Sequence, residues 1–251
     1  MLRRGLALLL LALLGTFAHA QAAAPLPAVI HLASEDWEDY TAADGHGLAW
    51  DVLRKVFEPA GVKLDIRTVP YTRSIGLVQL KEVDAQVGSY RDEAQGVLYP
   101  HWNFDSDHIY ALGLASNPAP TQATLGKYRL AWVRGYRYEN YLPNVRRYNQ
   151  IERRTGILLM LQQGRADYYI DARTEVEAVL KSAVNEQQFR YTHLAELPLF
   201  LGFADTSEAR SLMKLYDQRM TLLVGNGGLK PIFERWKQPY PFEGNLKPAD
   251  Q

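Results

Sequence analysis

Three short stretches place tyrosine beside arginine: Tyr71-Thr72-Arg73, Ser89-Tyr90-Arg91 and Gly135-Tyr136-Arg137. A tyrosine ring offers an apolar face and a hydroxyl that donates or accepts. A guanidinium offers a planar fork of donors matched to a carboxylate. Together they suit the holding of a small polar molecule better than the breaking of its bonds. Tyr40, in an acidic loop with Trp37, adds a further ring, and Gly88-Ser89 adds backbone and hydroxyl donors beside Tyr90. Asp171 follows the apolar run Tyr168-Tyr169-Ile170, at the carboxyl end of a candidate strand. Each residue has a plainer alternative. The tyrosines could be half-buried packing, Arg91 a surface partner of Asp92 or Glu93, Arg73 part of a solvated helix face, and Asp171 a cap for the next helix.

Other chemistry is excluded by residue type or spacing. The chain has no cysteine, so disulfides, thiolate catalysis and Cys-ligated zinc are ruled out. The six histidines are scattered without metal-ligand spacing, and neither a G-x-S-x-G elbow nor a triad can be assembled. Gly225-Asn226-Gly227-Gly228 follows a helical pattern rather than a strand, the wrong context for a phosphate loop. The expectation is a binding protein with no cofactor, metal or catalytic residue. Asp171 and Glu175 are the second-half acids that an enzymatic reading would need.

The elements that must position these residues follow from periodicity. Val29–Ala33 reads as a strand and Leu48–Phe57 as a helix closed by Gly61. Val62, Leu64 and Ile66 alternate as a strand, Tyr71–Leu80 is helical, and Val83–Val87 is a short strand. Strand, helix, strand, helix, strand is the order of a parallel wound sheet, whose ligands lie at the carboxyl ends of strands. Gly88–Arg91 and Trp37–Tyr40 both fall at such ends. After the connector Asn117–Thr121 the alternation repeats. Arg129–Val133, Tyr168–Ile170 and Phe189–Thr192 read as strands, and Thr155–Gln163 and Thr174–Ser182 as helices. Pro198–Ala204 is extended, Ser207–Val224 is a long helix and Leu229–Trp236 a short one.

Composition sets the compartment. Of 251 residues, 47% are apolar, enough for a core. Met1-Leu2-Arg3-Arg4, the apolar run Leu6–Leu14 and Ala18-His19-Ala20 match a cleaved secretory signal over 1–20, with the mature chain starting near Gln21. Export without a lipidated cysteine suggests a free periplasmic protein of a Gram-negative cell. The charge is uneven. Residues 115–194 hold 12 Lys/Arg against 7 Asp/Glu, and the rest of the mature chain holds 14 against 21. Two lobes with different faces would account for this, and a nucleic-acid binder would need a larger, clustered basic excess.

The order and spacing of four stretches resemble one family, the bacterial extracellular solute-binding proteins of the polar-amino-acid type. They are DWEDYTAADGHGLAWDVLRKVFEPAGVKLDIRTVPYTRSI, VDAQVGSYRDEA, LGKYRLAWVRGYRYENYL, and the closing half from LQQGRADYYIDARTEVEAVL through LPLFLGFADTSEARSLMKLYDQRMTLLVGNGGLKPIFERW. The resemblance implies an α/β fold of two lobes joined by two crossing strands. Residues 28–111 would form the first part of lobe 1, 112–197 lobe 2, and 198–251 a return strand and helices on lobe 1. It implies that Tyr40 packs on the solute, that Gly88, Ser89 and Tyr90 clamp it, that Tyr136 and Arg137 meet a carboxylate and that Asp171 takes an ammonium. Where the family carries its carboxylate-binding arginine this chain has Gln95 and Gly96. Arg73, Arg91 and Arg137 remain as substitutes. The implied partners are a small polar, amino-acid-like solute and an ABC-type permease, with the protein itself a monomer. A ligand-sensing partner of a membrane receptor, or an enzyme similar to cyclohexadienyl dehydratase, is the alternative.

Overall fold

The computed structural model describes residues 26–243, so the secretory signal expected over 1–20 lies outside the described residues. Among the described residues, nine strands and six α-helices form two α/β halves. The strands are β1 (Val29–Ser34), β2 (Lys63–Thr68), β3 (Ala85–Ser89), β4 (Val97–Leu98), β5 (Asp105–Leu114), β6 (Arg129–Val133), β7 (Arg147–Ile151), β8 (Tyr168–Ala172) and β9 (Phe189–Ala204). The helices are α1 (Leu48–Phe57), α2 (Tyr71–Gln79), α3 (Ile157–Gln162), α4 (Arg173–Lys181), α5 (Ser207–Gly225) and α6 (Lys230–Trp236). The strand order is β2-β1-β3-β9-β5-β8-β6-β7, with β4 also on β9.

In the first half β1 pairs in parallel with β2 and β3. Strands covered by helices on both faces read as continuous apolar runs, and β1 is buried at Ile30, Leu32 and Ala33. The helix α1 presents Leu48, Ala49, Val52, Leu53, Val56 and Phe57 to the core, the stripe expected of a one-sided helix. Gly61 ends that segment in the left-handed region at φ 81°. Asp51 on α1 then ties down the C-terminal helix, accepting from Arg235 Nη2 at 2.6 Å and Trp236 Nε1 at 2.7 Å. Thr206 caps α5, its side-chain oxygen accepting from the Ala209 N–H.

In the second half β6 pairs in parallel with β7 and β8, and β8 is antiparallel to β5. The two halves are joined through β9. Its first part pairs with β5 from Phe189 to Leu199, and its last part pairs with β3 and β4 from Phe200 onward. The segments Phe189–Thr192 and Pro198–Ala204, expected as separate strands, are thus one strand of 16 residues. No helix among the described residues is long and apolar enough to cross a membrane.

Candidate functional site

The carboxyl ends of parallel strands from both halves face each other across one cleft. Strand β1 delivers Ser34, Glu35 and Trp37, and β3 delivers Gly88 and Tyr90. Beyond β6 come Tyr136 and Tyr138, and β8 with the start of α4 supplies Asp171, Ala172 and Glu175. Tyr71, at the start of α2, and Asp107, on β5, complete the wall. The cavity they enclose is about 30 Å³, room for one or two waters and far less than an amino acid needs.

The walls meet through the chain's own groups. Trp37 Nε1 donates to Thr174 Oγ1 at 3.1 Å, the Tyr136 hydroxyl donates to Glu35 Oε1 at 2.9 Å, and Arg137 Nη1 donates to the Glu93 carbonyl at 3.2 Å. The rings of Tyr71 and Tyr136 sit edge to face at 5.3 Å, as do Tyr90 and Tyr141 at 4.8 Å. Gly135, at φ 99°, lets the second wall come this close, because a Cβ there would stand 2.6 Å from the Thr72 methyl carbon.

Five carboxylates converge on the cleft. Glu93 is buried and accepts from the Tyr71 hydroxyl at 2.6 and 2.5 Å, from Ser89 Oγ at 2.8 Å and from the Tyr90 N–H at 3.2 Å. Asp107 accepts from the Tyr90 hydroxyl at 2.7 Å. Asp171 accepts from the Tyr169 hydroxyl, the Ala172 N–H at 2.9 Å and Arg154 Nε at 3.0 Å. Arg154 Nε also lies 2.8 Å from Glu175, and its Nη2 donates to the Tyr136 hydroxyl at 2.7 Å. One guanidinium thus links Asp171, Glu175 and, through Tyr136, Glu35.

So many acids in a desolvated space hold their protons more tightly than usual. Burial pushes Glu35 up to about 7, with the Asp171 and Glu93 charges adding to it and Arg154 and the Tyr136 hydrogen bond opposing. Burial likewise lifts Asp107 to about 7 despite its bond from Tyr90, and Glu175 to about 7 despite Arg154. Glu93 is also raised, mainly by burial. Burial pulls the Arg154 guanidinium down, but Asp171, Tyr136, Tyr169 and Glu175 together hold it above its ordinary value.

Of the residues singled out from the sequence, Tyr71, Gly88, Tyr90, Tyr136 and Asp171 come together on the cavity wall. Ser89 stands one layer behind, fixing Glu93, and Tyr40 stands behind Trp37, its ring stacked on the indole at 4.2 Å. None of the three substitute arginines lines the cavity. Arg73 is half exposed and 3.9 Å from Glu82. Arg91 donates to the carbonyls of Pro100 and His101 and covers the Phe200 ring at 4.3 Å. Arg137 reaches the Glu93 carbonyl alone among the cleft groups. Sequence reasoning missed Glu35, Asp107 and Arg154. Glu35 could have been found, since it directly follows β1 at a carboxyl end. Arg154 sits in the polar run Glu152-Arg153-Arg154 and carries no signal that separates it from a surface residue.

No known sequence family matches the chain, and no curated protein is similar to it in sequence. Solved structures are similar in fold. The substrate-binding protein of an amino acid ABC transporter shares 19% identity at a TM-score of 0.62, over 84% of this chain and all of that one. EhuB in complex with hydroxyectoine shares 21% at 0.65, over 84% and 89%. The arginine-, lysine-, histidine-binding protein ArtJ from Geobacillus stearothermophilus shares 14% at 0.65, over 85% and 98%. The described chain has the two-lobed α/β fold of the amino-acid-type substrate-binding proteins of ABC transporters.

Proposed function

We propose that the chain is an exported, periplasmic solute-binding protein that closes its lobes on a small solute bearing an amino or guanidinium group and passes it to an ABC-type permease. The observation that carries this reading is the charge of the cleft, where Glu35, Asp107, Asp171 and Glu175 line the cavity, Glu93 stands behind Tyr71, and Arg154 bridges Asp171 and Glu175. A cation entering there would let the three acids that titrate near 7 ionise, trading their mutual repulsion for attraction. Arg154 is the chain's own occupant of this acidic space. A ligand cation would compete with it for Asp171 and Glu175, and the cavity would widen as the lobes part and Arg154 swings aside. With Arg73, Arg91 and Arg137 all away from the cavity wall, a ligand carboxylate is not required. Support comes from ArtJ, whose name gives it arginine, lysine and histidine as ligands. In this reading residues 28–111 and 198–251 form one lobe and 112–197 the other.

The test is calorimetric titration of the purified protein at pH 8 with agmatine, arginine and glutamate. Agmatine and arginine are expected to bind and glutamate is not, with Glu35→Gln weakening the agmatine affinity by more than about tenfold, the value of 1.4 kcal/mol. Affinity for agmatine is expected to fall between pH 8 and pH 5.5 as the carboxylates take up protons. Binding of glutamate alone, or of none of the three, overturns the cationic-ligand reading.

A further inference from the structure

Away from the cleft, on the paired strands β5 and β9 that connect the halves, His108, His193 and Glu196 bring one ligand atom each to within 4.8 Å of one another. The grouping is built by an irregularity in the ladder. Residues three apart on a regular strand point to opposite faces, so His193 and Glu196 should not meet. Between Ile109 and Tyr110 the register shifts. Ile109 faces Ala195 and Tyr110 faces His193, which leaves Leu194 as one extra residue in β9. That single bulge turns His193 and Glu196 to the same face. Opposite them, His108 faces Glu196 and Tyr110 faces His193, two residues apart on β5 and so on a shared face.

The side chains are poised at short range. His108 Nδ1 lies 3.6 Å from Glu196 Oε1, the two imidazoles are 6.1 Å apart between ring centres, and the Tyr110 ring packs edge-on against His193 at 5.2 Å. Two imidazoles and one carboxylate, with a fourth position left to water, are the donor set of a four-coordinate zinc site. Rotamer changes in exposed side chains bring such ligands to bonding distance, since all three are partly or largely solvent-accessible.

We infer that His108, His193 and Glu196 form a binding site for one divalent transition-metal ion, Zn(II) being the best match, which staples β5 to β9 where the two halves of the molecule are joined. The donor set is too rich in nitrogen for Mg(II) or Ca(II), which take all-oxygen shells. The bound ion would cross-link the ribbon between the halves and raise the stability of the folded chain by linkage.

The test uses the chain purified without a histidine tag and stripped with EDTA. Zn(II) is titrated calorimetrically, and Co(II) is added as a visible-absorption probe of tetrahedral nitrogen and oxygen ligation. The expected result is one Zn(II) per chain and a raised melting temperature. In His193→Ala and in His108→Ala/His193→Ala, affinity should drop by at least about tenfold, since even loss of outer groups that orient metal ligands costs that much. Both histidines lie on accessible faces, so these variants keep the fold, and His101→Ala, elsewhere on the surface, should leave the titration unchanged. Zn(II) held no more tightly by the native chain than by the double variant, or a Co(II) spectrum of the free aqua ion, overturns the site. Neither result depends on which solute the cleft takes.

Discussion

The two walls of the cleft hold their carboxylates by different means. On the first wall, Glu93 is held by neutral groups, the hydroxyls of Tyr71 and Ser89 and one backbone N–H, and Asp107 on β5 is held by the Tyr90 hydroxyl. On the second wall, Asp171 and Glu175 are held by the charge of Arg154. A hydroxyl can serve a carboxyl group in either protonation state, by donating to the ionised form or accepting from the neutral one. A guanidinium only donates and stays charged, so it favours the ionised form of a carboxyl partner. The first wall is therefore tolerant of proton uptake, whereas on the second Arg154 opposes it, although burial still lifts Glu175 to about 7. The contrast locates where a cationic ligand must compete with the protein itself, and where it would only need to displace protons.

Removing the charge should break the contrast most visibly. Arg154→Ala leaves Asp171 buried without its cation and is expected to lower unfolding stability by about 3 kcal/mol at pH 8. Urea melts of native and variant check this, and an unchanged midpoint would mean that Tyr169 and the Ala172 N–H suffice for Asp171. Tyr71→Phe removes one neutral donor from Glu93 and should cost about 1–2 kcal/mol, less than the loss on the charged wall. Its cost should shrink in acid, where a protonated Glu93 needs less help. The unliganded protein should itself depend on pH, through several groups at once rather than through one bond. Glu35, Asp107 and Glu175 are raised to about 7, above their values in the unfolded chain, so the folded state binds more protons across that interval. Their contribution is fully present below the unfolded carboxyl range and is lost as pH rises through about 7. Melting temperatures should accordingly drift downward from pH 5.5 to pH 8, and a rise would place the titrating acids elsewhere.

Much of the fold was legible because it rests on local pattern. The apolar stripe of α1 and the run Arg129–Val133 of β6 read at once as helix and strand, and the loops at strand ends marked five residues that do line the cavity. What was hidden depended on distant partners. Asp107 sits in the polar run Asp105-Ser106-Asp107-His108, which alternates no apolar face, yet it is buried because Tyr90 and the opposing wall cover it. Arg154 looks like any solvated arginine until β8 places Asp171 beside it. The continuity of β9 was masked by Pro198, which argues against a strand. Proline is tolerated there because that part of β9 has β5 as its one neighbour. The bulge at Leu194 hid the histidine pair in the same way, since it reverses the face that spacing alone assigns.

The single long strand β9 also makes the two halves one mechanical unit. The stretch from β5 to the first part of β9 is unbroken chain, and β3 gains its partner only when Phe200 returns to Ser89 from beyond it. Asp105 meets Leu199 on one side and Ser89 meets Phe200 on the other, so both sheets close through loops of similar length and neither has an entropic head start. The cleft takes its walls from both halves, so neither half can hold it alone. On refolding, recovery of ligand binding is therefore expected to trail the slower half, and binding that returns before either sheet is complete would overturn this.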